Sequence, residues 1–188
     1  MSVVPPPARE ARRPDGVFAT ALAIVLLVDV VTKYVALTRL SLHLPVAVAS
    51  DVLRWTLTYN PGAAFGLSLG AFSRWLFVAL ALAIAATLVR LQQATPPGAW
   101  PRALALGLVV GGAVANVVNR LWSARGVVDF IDVGVRTWRW PTFNVADIGV
   151  SLGAVLLARI LSRPERGAPI ALGTGPQAAH GPRGTAAQ

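Results

Sequence analysis

The chain has 188 residues, of which 55% are hydrophobic and only 13% are charged. Soluble domains carry about 25% charged residues, so the composition predicts a membrane protein and argues against a soluble domain. The formal net charge is +9, but the arginines flank apolar segments instead of gathering on one polar face, which argues against a nucleic-acid partner.

The sequence contains no cysteine and only two histidines, His43 and His180. Disulfides, thiolate nucleophiles and cysteine-ligated metals are therefore excluded, and a histidine metal site or a Ser-His-Asp triad is disfavoured. We expect no metal and no cofactor. The groups left for chemistry are a few acids, amides and arginines.

Four apolar segments have close to the roughly 20 residues that a bilayer-crossing helix needs. They cover approximately residues 17–37, 71–91, 101–122 and 144–161. The predicted fold is an all-α polytopic membrane protein with four transmembrane helices, in which residues 17–161 form one membrane domain. The flanking residues 1–16 and 162–188 are rich in proline and arginine and are expected to be disordered tails.

Four spans place both termini on the same side of the membrane. Arginine is more abundant on that side and clusters near both termini, so the positive-inside rule predicts that the termini are cytoplasmic. The loops 38–70 and 123–143 are then expected to face outward.

The first outer loop contains VLRWTLTYN, in which large apolar residues alternate with polar ones. This period of two predicts a strand with one apolar and one polar face, and Asn60-Pro61-Gly62 ends it with a turn. We therefore expect a small antiparallel β-element around residues 52–67 on the membrane surface. In the second outer loop, RTWRWPTF places aromatic residues at the membrane interface.

Asp29 and Lys33 lie near the end of the first span, four residues apart, so they share a helix face and can pair. The pair either satisfies itself at the outer boundary or supports a polar site in the bundle, and the sequence leaves both readings open.

The third span carries a polar stripe and a ridge of small residues. Asn116, Asn119 and Arg120 lie on one helix face and need partners inside the bundle. The small residues that allow neighbouring helices to approach closely are Gly107, Gly111 and Ala115.

Two further acids lie in apolar settings. Asp129 falls within GVVDFIDVG, and Asp147 opens the fourth apolar segment, where it or Asn144 can cap the helix. Nearby Asp132 is expected to be an interface or turn residue. Two carboxylates brought close together share a proton, so one acts as a base and the other as an acid, and a water between them can attack an amide. Asp129 and Asp147 are the best candidates for such a pair.

Five motifs occur in order: DVVTK at 29–33, YNPGAAFG at 59–66, GGAVANVVNR at 111–120, VVDF at 127–130 and FNVAD at 143–147. Together they resemble the lipoprotein signal peptidases, or signal peptidase II, over about residues 17–161. The resemblance implies an aspartic endopeptidase of the bacterial plasma (inner) membrane, with its active site toward the outer face. Such enzymes remove the signal peptide from prolipoproteins by cutting before the lipobox cysteine, once that cysteine carries a diacylglyceryl group.

The same resemblance implies roles for individual residues. The catalytic aspartates fall on Asp129 and Asp147. The residues implied to line the pocket or support the two acids are Asn60, Gly62, Arg120, Asn116, Asn144, Asp29, Lys33 and Asn119. The β-element fits the family's β-cradle, and the lipobox peptide is expected to enter between that element and the 123–143 loop. The implied partners are diacylglyceryl-prolipoproteins, membrane lipids and globomycin-type inhibitors, with no obligate protein partner.

The chain departs from the family motif in the third span. The family usually has GNxxDR where this chain has ANVVNR, so Ala115 and Asn119 differ. An amide at position 119 predicts a weakened or differently tuned site. Two alternatives follow: a catalytically impaired binder of lipoprotein precursors, or a small proton-coupled transporter with the acids as a relay. The clustering of the acids toward one side disfavours the relay.

Overall fold

The computed structural model describes residues 14–61 and 71–162. Within them lie four helices: α1 (Asp15–Arg39), α2 (Ala71–Gln93), α3 (Trp100–Trp122) and α4 (Val145–Leu161). Four strands complete the fold: β1 (Val46–Ala49), β2 (Leu53–Asn60), β3 (Val127–Val135) and β4 (Trp138–Arg139). Helix α1 begins two residues inside the predicted N-terminal tail. Gly62 and most of both predicted tails lie outside the described residues.

Three of the four predicted spans are helices that are long and apolar enough to cross a membrane, namely α1, α2 and α3. Helix α4 is shorter, with 17 residues. At a rise of 1.5 Å per residue it covers about 26 Å, slightly less than the roughly 30 Å hydrocarbon core of a bilayer. A fourth span therefore stays a prediction.

Helix α3 packs against each of the other three helices, and glycines allow the closest approaches. Gly107 and Gly111 face α1, where an added Cβ would lie 2.9 Å from atoms of Ala21 and Leu22, respectively. Gly112 faces α4, where an added Cβ would meet the Ala146 carbonyl. These contacts confirm the predicted close approach of a neighbouring helix to the ridge of small residues on α3. At the glycines, backbone atoms of α1 and α4 lie against the backbone of α3.

A four-stranded antiparallel sheet lies at the end of the bundle, with strand order β1-β2-β3-β4. Two of its strands come from the second outer loop, so the prediction of a β-element in the first loop alone was incomplete. The missed strand β3 is buried over its first six residues, and a strand covered on both faces has no period of two to reveal it.

Two details of the sheet correct the sequence analysis. Asp132 is buried within β3, so it is not a turn residue. Strand β2 does not keep one register, because its pairing with β3 shifts between Trp55 and Thr58. The alternation of VLRWTLTYN therefore does not describe one strand with two uniform faces.

We predict that Gly112→Ala destabilises the protein, although alanine favours a helix by about 1 kcal/mol over glycine. The new methyl group would lie 2.8 Å from Val150 Cγ2 and would also meet the Ala146 carbonyl, and overpacking of this kind costs about 1–3 kcal/mol. Thermal unfolding in detergent measures the effect. Gly16→Ala is the matched control, because nothing lies within 4 Å of its added Cβ; equal unfolding temperatures for the two variants would contradict close packing at α3 and α4.

Candidate active site

Asp129 and Asp147, hereafter the dyad, come from different elements that meet at the sheet end of the bundle. Asp129 is the third residue of β3 and is 3% exposed. Asp147 is the third residue of α4 and is half-buried. Both acids were predicted from the sequence to form a pair. The fold brings them close enough for the charge of Asp147 to raise the pKa of Asp129.

Asn144 contacts both members of the dyad. Its backbone N–H donates to Asp147 Oδ2 and its Oδ1 accepts from the Asp147 N–H, each at 3.1 Å. These two bonds form a capping box at the start of α4, as the sequence indicated for this helix end. The Asn144 Nδ2 donates to Asp129 Oδ1 at 2.6 Å. One fully buried residue therefore contacts both carboxylates, that of Asp147 through its backbone N–H and that of Asp129 through its side-chain amide.

A second polar connection reaches Asp147 from α1. Lys33 Nζ lies 2.7 Å from Asp29 Oδ2 and donates to Asn116 Oδ1 at 3.0 Å. The Asn116 Nδ2 then donates to Asp147 Oδ1 at 2.9 Å. Asp29 Oδ1 also accepts from the Ala146 N–H at 2.9 Å. The ion pair is thus part of a polar network that includes Asp147, which favours the second of its two readings.

The remaining predicted residues surround the dyad in different ways. Asn60 forms a side-chain hydrogen bond with Asp129. Arg120 interacts electrostatically with both acids, donates to the Asn116 carbonyl at 3.3 Å and lies over the Phe77 ring.

Asn119 serves β3. Its Oδ1 accepts from the Val128 N–H at 2.7 Å, next to Asp129 in the chain. An amide oxygen can make this bond as a carboxylate oxygen would, so the departure at position 119 preserves an anchor for the strand.

Burial raises the pKa of Asp129 from its ordinary value of 3.8 to about 7, and the nearby charge of Asp147 acts in the same direction. Hydrogen bonds from Asn144 and Asn60 oppose the rise because they stabilise the carboxylate. Asp129 therefore holds its proton well above the usual range of an aspartic acid and can donate it near neutral pH.

One predicted feature of substrate entry is wrong. Strands β2 and β3 are hydrogen-bonded to each other from Leu53 to Asn60, apart from the shift after Trp55. A peptide cannot pass between paired strands, so the predicted entry between the β-element and the 123–143 loop is closed where β2 pairs with β3.

With this geometry in hand, comparison with known proteins identifies the family. Residues 21–162 match the family described as signal peptidase (SPase) II. The chain belongs to the signal peptidase II family.

Individual relatives agree with this assignment. The lipoprotein signal peptidase of Hydrogenovibrio crunogenus is 44% identical over 147 residues, which cover 76% of this chain and 84% of the relative. The lipoprotein signal peptidase of Pseudomonas aeruginosa is 37% identical over 146 residues, covering 76% and 86%, respectively. A solved structure described as a bacterial membrane enzyme has a TM-score of 0.71 and 27% identity, covering 80% of this chain and 95% of that one.

Family membership makes this chain a peptidase by classification, and the apolar helices and the matching membrane-enzyme structure make it a membrane protein. The comparisons extend the resemblance beyond the five motifs to most of the chain.

Because folding raises the pKa of Asp129, the native state binds this proton more tightly than the unfolded chain does. Its stabilising effect is complete below the ordinary carboxyl pKa and is lost as the pH rises through about 7. We predict that Asp129→Asn becomes more stable relative to the unmodified protein as the pH rises from about 4 to about 8. Thermal unfolding in detergent across this range measures the difference, and a pH-independent difference would contradict the raised pKa.

Proposed function

We propose that this chain is a membrane-embedded aspartic endopeptidase that removes the signal peptide from diacylglyceryl-modified bacterial prolipoproteins, cutting before the lipidated lipobox cysteine. The observation that carries the proposal is the dyad: two carboxylates from separate elements, both bonded to the single buried residue Asn144, Asp147 through its backbone N–H and Asp129 through its side-chain amide. Family membership supports the substrate class, since the relatives are named lipoprotein signal peptidases.

The hydrogen bonds around the dyad support a division of labour. Asp147 accepts N–H groups from Asn144 and Asn116, which favours its ionised form. Asp129 is the more buried acid and retains a proton near neutral pH. We assign Asp147 as the base and Asp129 as the acid of the shared-proton pair.

In the proposed reaction, Asp147 takes a proton from a water molecule, and the resulting hydroxide attacks the carbonyl carbon of the scissile amide. Asp129 gives its proton to the carbonyl oxygen, so the tetrahedral intermediate carries no net charge. Asp147 then protonates the leaving amine while Asp129 takes a proton back from the intermediate, and the C–N bond breaks. Both carboxylates return to their starting states, and one water is consumed.

A largely apolar groove beside the dyad is consistent with a substrate that carries acyl chains. Asp147 lines a groove of about 260 Å³ together with Phe143, Ile148 and Leu152. Acyl chains lying against such side chains would hold the scissile amide near the dyad, and positioning of this kind contributes strongly to rate. Globomycin-type peptide inhibitors are proposed to occupy the same site.

The proposed topology has four spans, cytoplasmic termini and an active site at the outer face of the plasma membrane. The dyad and the sheet lie at the same end of the bundle, where Trp122, Trp138 and Trp140 are exposed. Exposed tryptophans of this kind are typical of a membrane–water interface. Residues 17–161 are proposed to form one membrane peptidase domain.

A cleavage assay with purified protein and a diacylglyceryl-modified prolipoprotein tests the proposal. We expect cleavage of the lipidated precursor and none of the unlipidated one. Asp129→Asn and Asp147→Asn should each lower the rate by at least about 100-fold, the lower range for losing a general acid or base. Asp15→Asn is the matched control, because Asp15 lies at the opposite end of α1 and bonds to Gln92.

Retained activity in either dyad variant would contradict the mechanism. Binding of the lipidated precursor without cleavage by the unmodified protein would favour the catalytically impaired binder. In that case Asn119→Asp is the next variant, because it restores the family residue at the third-span departure.

A further inference from the structure

Strand β2 contains one more residue than β3 across the pairing that carries the active site. Before the shift, Arg54 pairs with Asp132 and Trp55 with Ile131; after it, Thr58 pairs with Asp129. Three steps along β2 therefore match two steps along β3. Two residues of β2, Thr56 and Leu57, lie opposite the single residue Phe130, which defines a β-bulge.

The bulge decides which face of the sheet Asn60 occupies. Directly paired residues project to the same face, and successive residues alternate. With the bulge, Asn60 pairs with Val127, two residues from Asp129, so Asn60 and Asp129 share a face. If the same chain kept the register of Arg54 and Asp132 without a bulge, Asn60 would lie opposite Gly126 and would project to the opposite face. The hydrogen bond between Asn60 and Asp129 thus depends on the bulge.

The backbone of the bulge has its own partner outside β3. The Leu57 carbonyl accepts from the His43 N–H at 2.9 Å, and the Leu57 side chain is buried in the apolar cluster with Val128 and Phe130. The Leu57 carbonyl therefore has a hydrogen-bond partner and the Leu57 side chain is packed in a core, as expected of a built feature rather than a local defect.

A polar network fixes the other residue of the bulge. The Thr56 Oγ1 donates to Asp132 Oδ2 at 2.8 Å, and Arg139 Nε donates to Asp132 Oδ1. Arg139 also donates to the Asp51 carbonyl at 3.0 Å, and Asp51 pairs with Arg54. The network joins the β1–β2 turn, β2, β3 and β4, and Thr56 is its contact with the bulge.

We propose that the bulge at Thr56 and Leu57 is a positioning device that turns Asn60 onto the face of Asp129, and that Thr56 and Asp132 are positioning residues that hold it. This role rests on the proposed peptidase function. Neither residue has to touch substrate, because each acts through the register of β2.

A double-mutant cycle tests the role directly. We expect Thr56→Val, which keeps the shape but removes the hydroxyl, to lower kcat about tenfold with little change in KM, because small displacements near reacting groups reduce rate strongly. In an Asn60→Ala background the same change should cost less than about twofold, because residues that act through one another are not additive. Thr56→Ser should retain activity.

The pH profile gives a second readout that general destabilisation would not produce. The Asn60 hydrogen bond lowers the pKa of Asp129, so its loss raises that pKa. In both Thr56→Val and Asn60→Ala we expect the limb of the kcat profile near neutral pH to move to higher pH. Thr87→Val is the matched control, because its hydroxyl bonds only within α2, to the Ala83 carbonyl.

The outcomes separate this inference from the proposed function. Absence of cleavage by the unmodified protein would overturn the function and the positioning role with it. Normal cleavage combined with additive effects of Thr56→Val and Asn60→Ala would overturn the positioning role alone. Asp132→Asn, which weakens the same network, serves as the second variant if Thr56→Val does not fold, and additivity there is equally decisive.

Discussion

The hydrogen bonds of Asn144 are the interaction on which the candidate site depends. The residue caps α4 through Asp147 and also donates to Asp129 on β3. Two carboxylates repel each other when both are ionised, and burial strengthens the repulsion. Asn144 donates to Asp129 through its side-chain amide and to the Asp147 carboxylate through its backbone N–H, while its side-chain oxygen accepts from the Asp147 backbone N–H. The arrangement keeps the acids close while allowing a single proton to be shared.

Close helix packing makes this arrangement possible. The absence of a side chain at Gly107 and Gly111 allows α1 to pack closely against α3, and Gly112 does the same for α4. Polar groups of the three helices therefore lie within hydrogen-bond distance of one another. In apolar surroundings each of these groups would be costly without a partner. Here these polar groups have partners, because Lys33 pairs with Asp29 and donates to Asn116, and Asn116 donates to Asp147. The same network therefore satisfies buried polar groups and orients an acid.

The sheet supplies the other half of the site. Strand β3 carries Asp129 and pairs with β2. Asn119 of α3 anchors β3 by accepting a hydrogen bond from the Val128 N–H. The bulge in β2 then places Asn60 beside Asp129. Helix and sheet residues thus approach the dyad from different directions, which explains why a short chain can build the site without histidine or cysteine.

The sequence by itself determined the apolar helices, the ridge of small residues and the capping of α4, and it indicated the two acids of the proposed dyad. These features depend on local composition and short spacings, which a linear pattern records. Only the tertiary structure decided that Asp129 lies on a buried strand, that Asp132 holds a neighbouring strand, and that Asn60 shares a face with Asp129. Strand β3 is buried on both faces over its first six residues and has no alternation to read, and a one-residue bulge is visible only in the pairing of two distant segments. Long-range pairing thus fixed the geometry of residues that the sequence had indicated only by their type and spacing.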